Sequence, residues 1–279
     1  MKKLALGTAI LVSLMGAGPA MAADMLLKAP PPASASWNGV YLGLGVGYET
    51  TRIDGTVVSA TNAPGGNLLP VNCFSISPCV PGEPIDGSGF RFSPYLGVNW
   101  QVGPQWLVGL EGDWAWFNHT TTFSGQLYPG GGFPFFMTGR GDDSFAVKTT
   151  WDASARGRLG YLVTPSFLLY ATGGAAWLHV ESTSTCGATN SCAPGGFLPS
   201  VITDSVNKTG WTIGGGIETM LWKNWFARGE YRYSDYGTIN NTDVRNCCGG
   251  GAAVVQTVNY SLRVRTSATT FGLAYKFGN

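Results

Sequence analysis

Beyond its first two dozen residues the chain has no apolar run of the ~18 residues that a membrane-spanning helix requires. Charge is scarce, at 12% of 279 residues, and the formal net charge is +1. That balance gives no basic footprint for a nucleic-acid partner. There are two histidines, no HExxH and no CxxC, so a histidine-based metalloprotease site is excluded. A thiolate metal site stays only as the rival reading of the cysteines. The run Gly43-Leu44-Gly45-Val46-Gly47 has GxGxG spacing and no helix after it, which excludes a dinucleotide loop. No fixed blade motif recurs, which excludes a propeller. Nothing else implies a metal or cofactor.

What is abundant is glycine, at 41, and tryptophan, at 10. The aromatics recur in pairs ten residues apart: Phe90 and Trp100, Trp106 and Trp116, Trp151 and Tyr161, Phe167 and Trp177. Trp37–Tyr48, Trp211–Trp222 and Trp225–Tyr236 repeat the pattern at eleven. Ten strand residues run about 33 Å, and a tilt of about 45° leaves roughly 24 Å of height, the apolar band of an outer-membrane barrel. Indole rings favour the interfaces of that band. Trp37, Trp100, Trp106, Trp222 and Trp225 are expected on the periplasmic girdle, and Trp114, Trp116, Trp151, Trp177 and Trp211 on the outer one. Odd spacing swaps faces, so each eleven-residue pair needs a rim residue or a bulge.

Alternation of side-chain character predicts eight strands, over 38–49, 89–101, 105–118, 147–162, 166–180, 206–220, 224–236 and 257–277. Connections of about three residues alternate with long ones, at 50–88, 119–146, 181–205 and 237–256. The expected fold is therefore all-β, an eight-stranded antiparallel transmembrane barrel with short periplasmic turns and four long extracellular loops. The parity places Glu111, Asp113, Asp152, Arg156, Arg158, Glu218, Arg228, Glu230 and Arg232 on the lumen face. Arg91 and Lys276 are further candidates. A lipid-facing arginine at mid-depth would cost about 2–4 kcal/mol, so the charged face turns inward. The set reads as an ion-pair network closing the lumen, with a narrow gated pore or a proton path as the alternative. In the last strand Arg263 and Arg265 share parity with Phe271, Leu273, Tyr275 and Phe277. Either a bulge intervenes or these arginines stand above the membrane. The fifth strand is apolar on both faces around Gly173-Gly174.

The N-terminus reads as a Sec-type signal peptide over residues 1–22. Lys2 and Lys3 precede an apolar stretch from Leu4 to Ala17, and Ala20-Met21-Ala22 is the cleavage site. Residues 23–36, with Pro30-Pro31-Pro32, are expected to form a periplasmic tether, and 37–279 the barrel domain. Export permits disulfides. Cys73 and Cys79, and Cys186 and Cys192, are spaced for local clasps. Adjacent Cys247 and Cys248 could close on each other, stay reduced or pair elsewhere. All six fall in long loops. The segment Tyr128–Met137 is rich in aromatics and is a candidate contact surface. His119 and His179 end two strands with serines nearby, so a lipid A-modifying hydrolase is a weaker alternative. No catalytic residue is assigned.

The stretch Ala23-Asp24, Lys28-Ala29-Pro30 and Trp37-Asn38-Gly39-Val40-Tyr41-Leu42-Gly43 resembles the small outer-membrane immunogenic proteins of alphaproteobacteria. So do Trp222-Lys223-Asn224-Trp225, Arg228-Gly229-Glu230-Tyr231-Arg232-Tyr233 and Phe271-Gly272-Leu273-Ala274-Tyr275-Lys276-Phe277. The resemblance covers most of the chain outside the loops. It implies an OmpA-like, porin-family barrel in the bacterial outer membrane, exposed as a surface antigen. The implied partners are outer-membrane lipids and lipopolysaccharide, the barrel assembly machinery through the C-terminal strand, and host or cell-surface ligands through the loops. Gly278-Asn279 depart from the family's aromatic ending, and a haem-ligand pattern is missing.

Overall fold

A computed structural model describes residues 36–62, 66–67, 85–124, 126–127, 136–137, 144–186, 200–222, 224–247 and 254–277. The signal peptide and nearly all of the tether lie outside them. So do Cys73, Cys79, Cys192 and Cys248, and the side chains of Cys186 and Cys247.

Eight long strands form one antiparallel sheet: β1 (Gly39–Asn62), β2 (Ile85–Val102), β3 (Trp106–Ser124), β4 (Ser144–Thr164), β5 (Phe167–Cys186), β6 (Ser200–Trp222), β7 (Trp225–Cys247) and β8 (Val254–Phe277). Each pairs with the next, and β8 pairs with β1, which closes the ring. Closure removes the unpaired edges that would otherwise invite strand addition. The two-residue strand Gly66–Asn67 extends the ladder of β1, and Gln126–Leu127 pairs with Phe136–Met137.

The turns β2–β3, β4–β5 and β6–β7 are as short as the sequence indicates, and Gly103 takes a φ of +75° in the first. The strands are longer than expected. β1 runs on to Asn62, β7 to Cys247, and β6 starts at Ser200. Much of what reads as long loop is thus barrel wall. These extensions carry Thr-Asn-Ser-rich segments such as Thr238–Thr242. Beyond the lipid band the outward face meets water instead of lipid, so the apolar alternation that marks a strand fades while the ladder continues.

Two parity problems resolve. β8 keeps one parity past Arg263 and Arg265: Leu262, Val264, Thr266 and Ala268 are buried, and the arginines face outward. In β5, Leu168, Tyr170, Thr172, Ala176 and Leu178 point in, leaving Leu169 and Trp177 exposed outside. The pair Trp211–Trp222 is exposed at both ends because the β6–β7 register shifts between Trp225 and Phe226, where Leu221 has no partner. Tyr236 and Trp37 are buried inside, so the other two eleven-residue pairs straddle the wall.

Candidate functional site

The lumen is the part of the fold with concentrated chemistry, and it is layered. At the periplasmic end Trp37, Leu107, Leu162, Leu168 and Tyr170 form an apolar cluster, with Met220 packed against it. Tyr41, Tyr95, Phe226 and Ala274 pack above. Towards the outer end Ile53, Phe117, Val147, Leu178, Val180, Tyr236, Ile239, Leu262 and Val264 form a second cluster. Between these two apolar layers lies the charged set.

Every member comes from the inward parity of its strand. Glu111 and Arg156 are directly opposed on β3 and β4, as are Glu218 and Arg228 on β6 and β7. Glu111 is the hub. Arg228 Nη1 and Nη2 donate to its Oε2 and Oε1 at 2.8 and 2.9 Å, a two-pronged contact. Arg156 Nη2 donates to Oε1 at 2.6 Å, and the Tyr41 hydroxyl donates to Oε2 at 2.7 Å. Arg156 also reaches Glu230 at 2.7 Å, and Arg228 bonds Glu230 as well. A second hub lies nearer the outer side. Arg232 spans Asp113 at 2.8 Å and Asp152 at 3.1 Å. Arg91 bonds Asp113 at 3.0 Å and pairs with Asp152 and Glu49. Ser154 donates to Asp113. Arg158 pairs with Glu218 at 2.6 Å.

Aromatic faces complete the arrangement. The Arg158 guanidinium sits 3.9 Å from the Tyr170 ring centre, and that of Arg228 sits 4.1 Å from the Tyr95 ring centre. Such contacts satisfy the guanidinium plane where no carboxylate reaches it. Tyr170 donates to Glu230 at 2.9 Å. Five guanidiniums (Arg91, Arg156, Arg158, Arg228, Arg232) thus meet six carboxylates (Glu49, Glu111, Asp113, Asp152, Glu218, Glu230) in one web. All of these arginines and all of these carboxylates but Asp113 fall among the buried residues, and the Asp113 side chain is itself only 5% exposed. A small cavity within the web measures about 20 Å³, bordered by Arg91, Asp113, Arg156, Arg228 and Arg232. It has room for about one water.

The structure brings all nine sequence-derived lumen residues together. Arg91 joins them, whereas Lys276 lies apart and donates to the Ser36 carbonyl at 2.6 Å. Glu49, Tyr41, Tyr95 and Tyr170 were missed from the sequence. Counting in twos from Tyr41 through Gly43, Gly45 and Gly47 reaches Glu49, so parity could have found it.

Trp100, Trp106, Trp114, Trp116, Trp177, Trp211 and Trp222 are exposed on the outer wall, and Trp225 and Trp151 are partly so. Trp37 differs from its expected place on the girdle. It is 1% exposed inside the periplasmic mouth, and its Nε1 donates to the Pro165 carbonyl at 3.0 Å. Gly39, at φ +126°, turns the chain so that the indole enters the lumen instead of the lipid. The histidines lie on opposite sides of the wall. His119 is on the inward parity with Thr121 at 2.7 Å, and His179 stacks on Trp151 outside, 5.7 Å between ring centres. Among the described residues no cluster of histidine, cysteine and carboxylate suits a metal.

Residues 11–277 match the family described as outer membrane protein beta-barrel domain. The chain belongs to this family. Similar barrel-family proteins include the 31 kDa outer-membrane immunogenic protein of Brucella melitensis, 28% identical over 84% of this chain and 88% of that protein. The 25 kDa outer-membrane immunogenic protein of Brucella abortus is 26% identical over 81% of this chain and 84% of its own length. The 22 kDa outer membrane protein of Rhizobium leguminosarum bv. viciae is 32% identical over 53% of each chain. This family member resides in the outer membrane, with its aromatic-edged wall in lipid and its charged face inside.

Proposed function

We propose that the protein is a non-enzymatic surface barrel with a closed lumen, whose wall is a scaffold for extracellular segments that contact the envelope or external partners. The observation that carries this reading is the layering of the lumen. A buried ion-pair web lies between two apolar clusters, and an open pore would need all three layers to part. Small eight-stranded barrels have interiors that side chains can just fill. The immunogenic relatives' names support exposure at the cell surface, and the disulfide clasps remain part of this proposal.

Purified protein in planar bilayers is expected to give no steady large conductance. Sustained nanosiemens channels would overturn the closed reading in favour of a porin. For the hydrolase alternative, His119→Ala and His179→Ala should leave the lipid A mass profile unchanged, and a shift in either would support catalysis.

A further inference from the structure

One sector of the outer wall gathers three arginines on two neighbouring strands. Arg52 on β1 and Arg263 and Arg265 on β8 all face outward. Arg52 lies four residues beyond Tyr48, an exposed aromatic of the lipid face of β1. Four tilted strand residues rise about 9 Å. The three guanidiniums therefore sit just above the apolar band, at headgroup height.

Their mutual arrangement is unusual for a wall that only needs to be soluble. Arg52 and Arg265 are direct cross-strand partners, a like-charge placement that ordinarily destabilises a sheet. One carboxylate serves both: Asp54 lies 3.5 Å from Arg52 Nε and also pairs with Arg265. Arg263 holds Asp235 at 2.6 Å. Asp86, the register partner of Arg52 on β2, flanks the sector and is exposed. The Arg52, Arg263 and Arg265 side chains are 50%, 55% and 30% exposed. Each guanidinium has five donors, so several remain for an incoming anion.

We propose that Arg52, Arg263 and Arg265 form a seat for a phosphate monoester carried by an outer-leaflet glycolipid. Arginine forks match phosphate oxygens, and basic clusters at headgroup height recruit anionic lipid. In the outer leaflet of an outer membrane the matching chemistry is the phosphate of lipid A. Asp54 competes with that phosphate for the same two arginines. The seat is on the outside of the wall and does not depend on whether the lumen conducts.

The test uses the refolded protein in detergent, with diphosphorylated lipid A and its dephosphorylated form as probes and adducts counted by native mass spectrometry. The phosphorylated form should bind about tenfold more tightly. The R52Q/R263Q/R265Q triple variant should lose that preference, and Lys148→Gln, a cation elsewhere on the rim, should keep it. Asp54→Asn should bind phosphorylated lipid A more tightly than the unaltered protein, a gain that mere damage to the wall would not produce. If the triple variant does not fold, as judged by heat-shifted electrophoretic mobility, the Asp54→Asn arm decides alone. Equal binding of both lipid forms, a folded triple variant with its preference intact, or weaker binding by Asp54→Asn would each overturn the seat. Inorganic phosphate displacing lipid A at equal concentration would overturn the lipid as its source.

Discussion

Gly43 on β1 and Tyr95 on β2 are direct cross-strand partners, and the phenol ring occupies the space where a Cβ on Gly43 would lie, 2.2 Å from the Tyr95 Cζ. The relationship is reciprocated two pairs along, on the same face, where Tyr41 covers Gly97. The bare backbone thus makes room for rings that back the arginines. Gly43→Ala should cost about 1–3 kcal/mol through overpacking, measured by urea unfolding in lipid vesicles. Combining it with Tyr95→Leu should cost less than the sum of the two single changes, because the ring is the obstacle. Full additivity would show that the two do not touch.

The ion-pair web makes a contrasting prediction. Arg228 contacts Glu111 through both Nη atoms and also bonds Glu230. Replacing it with leucine takes one cationic partner from each of two buried carboxylates, which keep Arg156 and a tyrosine hydroxyl, and breaking a buried pair by removing one partner costs about 3–5 kcal/mol. Arg263→Leu, at the exposed rim, should cost far less, because solvent screens its ion pair. Similar losses in both variants would argue that the lumen is far wetter than its packing indicates.

Trp37 tests the layering itself. Its ring packs 6.0 Å from Phe226, and its Nε1 bonds Pro165 across the mouth. Trp37→Ala should lower stability by about 3–5 kcal/mol. It should not make the barrel conduct, because the charged layer and the outer apolar layer remain. Steady channels in this variant alone would identify the indole as the gate.

For the cysteines, peptide mapping by mass spectrometry without reductant should find Cys73 joined to Cys79 and Cys186 to Cys192 in exported protein. Free thiols at those positions would refute the clasps.

Face parity was the legible part of the sequence. Glu111, Asp113, Arg156, Arg158, Arg228, Glu230 and Arg232 alternate with apolar neighbours, and burial cost forces such residues inward. The strand ends were not legible, because β1 beyond Tyr48 and β7 beyond Tyr236 lose the lipid-facing alternation while keeping their ladders. Trp37 was misplaced because an indole suits both an interface and a packed mouth, and the deciding feature is the backbone turn at Gly39. Glu49 was hidden by the glycines before it, which give no side-chain contrast to count from.

The extension of the strands past the lipid band has a consequence for recognition at the cell surface. Twenty-four residues of β1 span about 79 Å along the strand, which a tilt near 45° turns into roughly 56 Å of height. The apolar band takes only about 25 Å of that. Much of what an approaching antibody or phage fibre meets is therefore rigid, hydrogen-bonded cylinder, with its epitopes assembled from neighbouring strands distant in sequence. Such epitopes are conformational, and boiling the barrel should erase them while short loop peptides fail to replace them.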